Sequence, residues 1–207
     1  MPRMIDRLAD GNPDRALALA ALMLTVKEIP FVYYGEEIGI QNIIAESLNE
    51  MVDIQGQTHY ELALAKGKNP DYALDEENQH NRDKFRSPMQ WNGNPFAGFS
   101  TEKIWIKTNP DYKKVNVEEL LKKENSILNG YKKLIAIRNE EKVLQYGKYD
   151  KLEYNYNQIL FTRSFKGDKI TIIINYAAAK KVSIPNGAKI LILTRKLKAN
   201  DFTIYKN

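Results

Sequence analysis

Hydrophobic residues recur at helical spacing in the first part of this chain and at strand spacing in its last third. Asn12, Pro13 and Asp14 combine an N-cap candidate, a proline and a first-turn acid, which predicts the start of a helix. The segment that follows, residues 14–26, is apolar on nearly every face, so this helix is expected to be covered on most sides. A second helix is predicted at residues 127–138, where apolar side chains form one stripe.

A short apolar run at residues 31–34 follows the first helix and lacks alternation with polar residues. Such a run, closed by Gly35, predicts a strand buried on both faces, as in parallel sheets. Residues 36–112 are polar and irregular, with weak helical patterns at 46–55 and 59–66. Irregular segments of this length are uncommon in compact domains and are usually functional.

Short β-prone runs replace the helical stripes after Gly147. Residues 158–165 and 170–176 flank a Lys-Gly-Asp-Lys turn and predict a hairpin. Three further β-prone runs lie at residues 181–184, 189–194 and 202–205. Strands at this spacing predict a small antiparallel β-sandwich. The expected fold class is therefore α/β plus all-β, with an α/β domain at residues 1–144 and an all-β domain at residues 145–207.

Composition narrows the possible functions. The chain has no cysteine, which excludes disulfides and thiolate metal sites. His59 and His80 are 21 positions apart with no third ligand at a suitable spacing, so neither a metal site nor a cofactor is expected. The longest apolar run, residues 16–26, is too short to span a bilayer, and no leader pattern precedes it. A soluble, cytoplasmic protein without a membrane partner is expected.

The net charge of +5 is concentrated at the end of the chain, where 11 Lys and Arg residues oppose 4 acidic residues from Asp150 onward. A basic segment can attract nucleic acid. Here the lysines are scattered among strand-like residues, without a basic helix or an aromatic RNA-binding motif, and lysines commonly protect exposed strand edges. We therefore expect a solvated lysine-rich surface and no nucleic-acid partner.

Two acids, Glu36 and Glu37, follow the predicted strand at the end where α/β barrels keep their active sites. Glycoside hydrolysis with retention needs two facing carboxyl groups about 5–5.5 Å apart. Adjacent residues of an extended chain point to opposite sides. Glu36 and Glu37 are therefore predicted to support the loop rather than to act as a catalytic pair.

A dense polar motif, Arg82-Asp-Lys-Phe-Arg-Ser-Pro-Met-Gln-Trp, lies within the irregular segment. Two interpretations of it remain open. In the first, the planar guanidinium groups bind sugar hydroxyl oxygens and Trp91 covers an apolar sugar face. In the second, the arginines hold the loop through backbone carbonyls and Trp91 packs in the core.

Four segments of the chain carry a family resemblance. They are Pro30-Phe-Val-Tyr-Tyr-Gly-Glu-Glu-Ile-Gly, the Arg82–Trp91 motif, Ala97-Gly-Phe-Ser-Thr together with Trp105-Ile-Lys-Thr-Asn-Pro-Asp-Tyr, and Tyr131-Lys-Lys-Leu-Ile-Ala-Ile-Arg. In this order they resemble the oligo-1,6-glucosidase and α-glucosidase group of the alpha-amylase family, glycoside hydrolase family 13, over about residues 1–150. The resemblance implies the C-terminal remnant of a (β/α)8 TIM barrel, with its strand 8 region and helices, followed by a small antiparallel β-sandwich.

The resemblance implies two substrate-binding residues and no catalytic one. Arg86 matches the family arginine that helps to hold glucose in the −1 subsite, and Arg3 matches the arginine after the strand-7 aspartate. Asn92 stands where the family usually has aspartate. The family's three catalytic carboxylates all precede the position of Met1. The resemblance therefore implies a C-terminal piece of a retaining α-glucosidase that acts on α-linked gluco-oligosaccharides and is inactive alone.

A partial barrel leaves strand edges and apolar faces uncovered. We expect either a homodimer that buries this surface or docking of the surface onto the sandwich. The alternative function is a carbohydrate-binding module without hydrolysis, which would use Trp91, Phe96 and Trp105 as stacking platforms for sugar rings.

Overall fold

The computed structural model describes residues 2–176, 183–194 and 200–207. They form two compact units whose segments alternate along the sequence. The first unit comprises Met1–Gly11 and Tyr33–Lys123, and the second comprises Asn12–Val32 and Glu124–Asn207. The domain boundary expected near residue 145 falls within the second unit.

The first unit holds helices and short 3-10 turns, and the second holds helices and the described strands. The helices are α1 (Met4–Ala9), α2 (Pro13–Thr25), α3 (Ile54–Ala65), α4 (Pro70–His80), α5 (Val117–Leu121), α6 (Ile127–Glu140) and α7 (Lys142–Tyr146). The strands are β1 (Lys148–Tyr154), β2 (Gln158–Phe165), β3 (Asp168–Asn175), β4 (Lys189–Leu193) and β5 (Asp201–Lys206). Among the described residues, no helix has the length and apolar character needed to cross a membrane.

In the first unit, α3 and α4 pack against each other as a helical hairpin. The two helices approach closely at Gly56, where a Cβ atom would lie only 2.8 Å from Cβ of Asn81. Helix α4 begins at Asn69, whose side chain accepts a hydrogen bond from the Tyr72 amide at 2.8 Å. The helical pattern at residues 59–66 is confirmed as part of α3, whereas α4 was not predicted.

A small apolar cluster lies beside this hairpin. Its buried members are Ile43, Ala45, Met51 and Ile106, and Leu74 of α4 packs against them. Because Ile43, Ala45 and Met51 come from the segment before α3, the cluster fixes an otherwise irregular loop to α4. The helix predicted at residues 46–55 is reduced to a 3-10 turn, Leu48–Glu50.

In the second unit, α2 begins where the sequence predicts. The Asn12 side chain accepts hydrogen bonds from the amides of Asp14 and Arg15 at 2.9 and 3.1 Å. Alanines cover much of the buried surface of α2, and this surface packs on α6 and on strands β3 and β5. Close packing on α6 is possible because Gly130 lacks a side chain; a Cβ atom there would lie 2.5 Å from the Leu17 side chain.

The second unit contains a five-stranded antiparallel sheet with the strand order β1-β2-β3-β5-β4. The predicted hairpin is confirmed as β2–β3, and both turn residues, Lys166 and Gly167, have positive φ as a type I′ turn requires. The predicted sandwich is wrong for the described residues, which form one sheet. Helices α2 and α7 pack on β3 and provide the cover that a second sheet would otherwise supply. The predicted run at residues 181–184 lies partly outside the described residues.

The predicted barrel strand at residues 31–34 is not formed. Phe31 is 84% exposed, and Tyr33 and Tyr34 are about 40% exposed. A strand exists only when its amides and carbonyls pair with a neighbouring strand, and every strand pair in the described residues belongs to the C-terminal sheet. The segment therefore has the apolar composition of a barrel strand but, among the described residues, forms no hydrogen-bonded pairs with another strand.

Two arginines bind the backbone carbonyls at helix ends in the second unit. Arg163 of β2 is fully buried and donates from Nη1 to the carbonyl oxygens of Thr25 at 2.8 Å and Leu144 at 2.7 Å. Its Nη2 donates to the Gly147 carbonyl at 2.7 Å. Arg138 donates to three further carbonyls, those of Leu24, Val26 and Glu28. The last four carbonyls of a helix have no partner within the helix. Arg163 therefore joins the ends of α2 and α7 to the sheet, and Arg138 joins the end of α2 to α6.

Replacing Arg163 with methionine is expected to lower the free energy of unfolding by about 2–4 kcal/mol, because three carbonyls lose charged donors in a buried site. Urea denaturation followed by circular dichroism measures this difference. Lys151→Met, on the exposed strand β1, serves as the control and is expected to change stability little. Unchanged stability of Arg163→Met would show that the carbonyls find other partners.

A buried acid, Asp201 in β5, predicts a pH-dependent stability. Burial raises its pKa to about 6, against an ordinary value of 3.8. Folding therefore favours the protonated acid, and this contribution is complete below pH 3.8 and lost as the pH rises through about 6. We expect Asp201→Asn to stabilise the protein by roughly 1–2 kcal/mol at pH 7.5 and to give no gain at pH 3.5.

Urea denaturation at the two pH values tests the Asp201 prediction. The exposed acid Glu124 belongs to the same unit, and Glu124→Gln is the matched control. An equal effect of Asp201→Asn at both pH values would contradict the assignment of the effect to ionisation.

Candidate functional site

The first predicted site residue, Arg3, is buried beside two tyrosine rings in the first unit. Only 1% of its surface is exposed, and its Cζ atom lies 4.9 Å from the ring centroid of Tyr34 and 5.1 Å from that of Tyr33. Its Nη1 donates a hydrogen bond to the Tyr34 carbonyl, and its amide donates to Oδ1 of Asn42 at 3.0 Å. Burial lowers the pKa of the Arg3 guanidinium below its ordinary value.

The turn after Tyr34 is built to receive this guanidinium. Gly35 has φ of +85°, and a Cβ atom there would lie 2.9 Å from Nη1 of Arg3 and 2.7 Å from Cδ1 of Ile40. Nε and Nη2 of Arg3 are buried without a hydrogen-bond partner among the described residues. Buried donors are normally paired, so Arg3 presents two donors that suit an acceptor from outside the described chain.

The second predicted site residue, Arg86, lies beside a buried acid. Its Nη1 is 3.4 Å from Oδ1 of Asp83, and 39% of its side chain is exposed. The other carboxylate oxygen of Asp83 accepts hydrogen bonds from the amides of Val52 and Asp53 at 2.9 and 2.8 Å. Asp83 therefore holds the chain before α3 and orients Arg86 with the same carboxylate.

A second ion pair holds the start of the same motif. Arg82 donates from Nε to both carboxylate oxygens of Asp53, at 3.0 and 3.1 Å, and its amide donates to Oδ2 at 2.8 Å. The neighbouring guanidinium lowers the pKa of Asp53. Arg82 thus holds the loop, as the second interpretation of the motif states, although its partner is a carboxylate rather than a backbone carbonyl. Trp91 is 49% exposed, so the part of that interpretation that places it in the core does not hold.

Tyr34 connects Arg3 to the segment that contains Arg86. Its carbonyl accepts from Arg3, and its hydroxyl donates to the Ser87 carbonyl at 3.1 Å. The rings of Tyr33 and Phe85 meet edge to face with centroids 6.4 Å apart. The apolar run at residues 31–34 predicted that the two tyrosines lie in a barrel strand, and it gave no signal of this role.

The acids that follow the tyrosines have separate environments. Oε2 of Glu36 accepts a hydrogen bond from the Tyr33 amide at 3.3 Å, which is the loop-supporting role that the sequence predicts. Burial raises the pKa of Glu36. Oε2 of Glu37 is buried without a hydrogen-bond partner among the described residues.

The two histidines come together on the α3–α4 hairpin. The rings of His59 and His80 stack with centroids 3.6 Å apart and an interplanar angle of 3°. Glu76 lies one helical turn before His80, and its Oε2 is 3.6 Å from Nδ1 of His80. Glu76 thus stands beside the two histidines as a third candidate ligand. The packing of α3 on α4 brings His59 to His80 although they are 21 positions apart in sequence.

Loss of the Asp83 carboxylate is expected to leave the amides of Val52 and Asp53 without their hydrogen-bond acceptor. In Asp83→Ala, two buried N–H groups lose a charged acceptor, which is worth about 1.5–3 kcal/mol. Amide hydrogen exchange of Val52 and Asp53, measured by NMR, should become roughly 10–100 times faster. Asp75→Asn, an exposed acid on α4, is the control. Unchanged protection of both amides would show that Asp83 does not hold this segment.

Comparison with known proteins agrees with the motifs. The family model described as alpha amylase, catalytic domain, matches residues 1–147. The oligo-1,6-glucosidase of Bacillus cereus is 35% identical over 182 residues, which cover 86% of this chain and 33% of that enzyme. The glucan 1,6-alpha-glucosidase of Streptococcus pneumoniae is 35% identical over 156 residues, covering 74% of this chain and 29% of that enzyme.

A solved structure extends the likeness to three dimensions. The trehalose-6-phosphate hydrolase of Bacillus licheniformis superposes with a TM-score of 0.86 at 27% identity, covering 100% of this chain and 41% of that one. The chain thus spans about a third of the length of the curated relatives it matches. The matched family model and the ordered motifs place this chain in the alpha-amylase family, with residues 1–147 matching the family's catalytic domain.

Proposed function

We propose that this chain is the C-terminal part of a retaining α-glucosidase that removes terminal α-linked glucose from short oligosaccharides, as an oligo-1,6-glucosidase does. The relatives named above support this reaction class. The observation that carries the proposal is the linkage of Arg3 to the Arg86 loop through Tyr34. One tyrosine thus contacts both Arg3 and Ser87, the residue that follows Arg86.

Arg86 is suited to bind sugar hydroxyl groups. Its guanidinium is held on one side by Asp83, and 39% of the side chain is exposed, so further N–H donors are accessible to a ligand. A hydroxyl-rich substrate supplies several acceptors at the spacing of this planar group. Asp83 has the positioning role, because its buried carboxylate fixes the arginine relative to the backbone of Val52 and Asp53.

Arg3 is suited to bind a carboxylate supplied by the rest of the barrel. Its Nε and Nη2 are buried without a partner among the described residues, and buried guanidinium groups normally pair with an anion. Retention at the anomeric carbon needs a nucleophilic carboxylate and a carboxylic acid about 5–5.5 Å apart. We infer that both come from the portion of the relatives that this chain does not cover, and that the chain alone is inactive.

A carbohydrate-binding function without hydrolysis is the second candidate. Trp105 is 70% exposed and Trp91 is 49% exposed, which leaves both indole rings open for stacking on sugar rings. The homodimer expected from the sequence remains a proposal, and the exposed side chains of Ile29 and Phe31 are its candidate contact. We also propose the cytoplasm as the compartment, with which a chain without cysteine is compatible.

Hydrolysis of isomaltose and of p-nitrophenyl α-glucoside tests the proposed function in two settings. The 207-residue chain alone is expected to give no turnover. A chimera, in which this chain replaces the matching third of the Bacillus cereus enzyme, is expected to hydrolyse both substrates. Arg86→Ala in the chimera should lower kcat/KM by roughly 10–100-fold, because a charged hydrogen bond to the sugar is lost.

Glu102→Gln, an exposed change in the same unit, is the control for the chimera. Folding of each chimera is checked by circular dichroism before its activity is compared. Turnover by the chain alone would contradict the inferred need for outside carboxylates, and unchanged kcat/KM in Arg86→Ala would contradict the role of Arg86. Saturable isomaltose binding by the chain alone would favour the binding module.

A further inference from the structure

The chain's histidines and one glutamate form a cluster that the glucosidase proposal does not use. His59 lies on α3, and Glu76 and His80 lie one turn apart on α4. One candidate ligand atom from each of the three residues lies within 4.8 Å of the other two. These are the only histidines in the sequence, and the helical hairpin has placed them face to face.

The chemistry of the three side chains matches a late first-row divalent cation. Imidazole nitrogen and carboxylate oxygen are the ligands of many zinc sites, with bonds of about 2.0–2.2 Å. Tetrahedral bonds of that length place ligand atoms about 3.4 Å apart. The observed separations of up to 4.8 Å therefore need to shorten by about 1.4 Å, which rotation of exposed or half-buried side chains can supply.

The hydrogen bond of the His80 ring leaves one nitrogen lone pair available. Nδ1 of His80 lies 2.9 Å from the carbonyl oxygen of Glu76, so the neutral ring carries its proton on Nδ1 and its lone pair on Nε2. An N–H donated to a backbone carbonyl is the common orienting contact of a metal-binding histidine.

We propose that His59, Glu76 and His80 bind one zinc or chemically similar divalent ion and thereby join α3 to α4. Imidazole lone pairs lie in the ring plane, and the two parallel rings are stacked 3.6 Å apart, so binding of one ion by both rings requires at least one imidazole to turn out of the stack. Three protein ligands leave a fourth coordination position for water or another ligand. The ion adds a bond between two helices that already pack against each other and approach closely at Gly56.

Zinc titration of the untagged, full-length chain tests the proposal. Calorimetry with zinc chloride is expected to give one site per chain. Because the sequence has only two histidines, the imidazole region of the proton NMR spectrum holds two sets of signals, and both should shift to saturation at one equivalent. The melting temperature should rise with zinc and return to its starting value with EDTA.

Three variants remove the ligands one at a time, namely His59→Ala, His80→Ala and Glu76→Gln. Each is expected to weaken zinc binding at least about tenfold. Asp75→Asn removes an exposed carboxylate next to Glu76 and should bind like the parent chain. Circular dichroism establishes that each variant is folded.

Three results would overturn the metal site. They are the absence of saturable binding at one equivalent, binding that leaves both imidazole signals unmoved, and undiminished affinity in the histidine variants. The NMR arm uses only the parent chain, so it decides the question even where a variant fails to fold. In each of these cases the stacked rings serve only to pack α3 on α4.

Discussion

The structure depends on the need of every buried backbone group for a hydrogen-bond partner. Short helices and a long polar loop leave many such groups at element ends, where neither a helix nor a sheet can pair them. In the second unit, Arg163 and Arg138 donate to six carbonyls around the ends of α2 and α7. In the first unit, Asp83 accepts from two consecutive amides of the loop. Charged side chains thus supply the partners that regular structure lacks.

Local signals explain which elements could be predicted from the sequence. Asn12-Pro13-Asp14 predicted the start of α2 because an N-cap, a proline and an acid act within one turn. Asn69-Pro70-Asp71 has the same pattern and opens α4, but α4 buries only Ala73 and Glu77, so periodicity gave no support there. The β2–β3 hairpin was predicted because its two-residue turn fixes the register.

Predictions that required a distant partner failed. The run at residues 31–34 has the composition of a buried strand, but strand formation depends on neighbours that no local pattern reports. The sandwich was predicted from strand spacing, which does not reveal that α2, more than a hundred residues earlier, packs on β3. Local sequence patterns identify the apolar faces of this chain, but tertiary packing determines which elements cover them.

The same distinction applies to the candidate site. Arg3 and Arg86 were found because each matches a family motif that can be recognised from neighbouring residues in the sequence. Tyr34, Asp53 and Asp83 were missed because their contacts join residues about thirty positions apart. The pairing of His59 with His80 was likewise concealed by the hairpin connection between their helices.

The proposed metal site and Arg86, the proposed sugar-binding arginine, depend on the same short segment of the chain. Asn81 directly follows His80, and its Oδ1 accepts the Asp83 amide at 2.6 Å. The side chain of Asp83 in turn contacts Nη1 of Arg86 through its carboxylate oxygen Oδ1. An ion that fixes the end of α4 would therefore restrict the segment from which Asp83 orients Arg86. Contiguity alone does not establish coupling between two sites, but here His80 and Arg86 are only six positions apart, and buried side chains hold the segment between them at Asn81 and Asp83. Ordering of α4 and ordering of Arg86 are thus expected to depend on the same few hydrogen bonds.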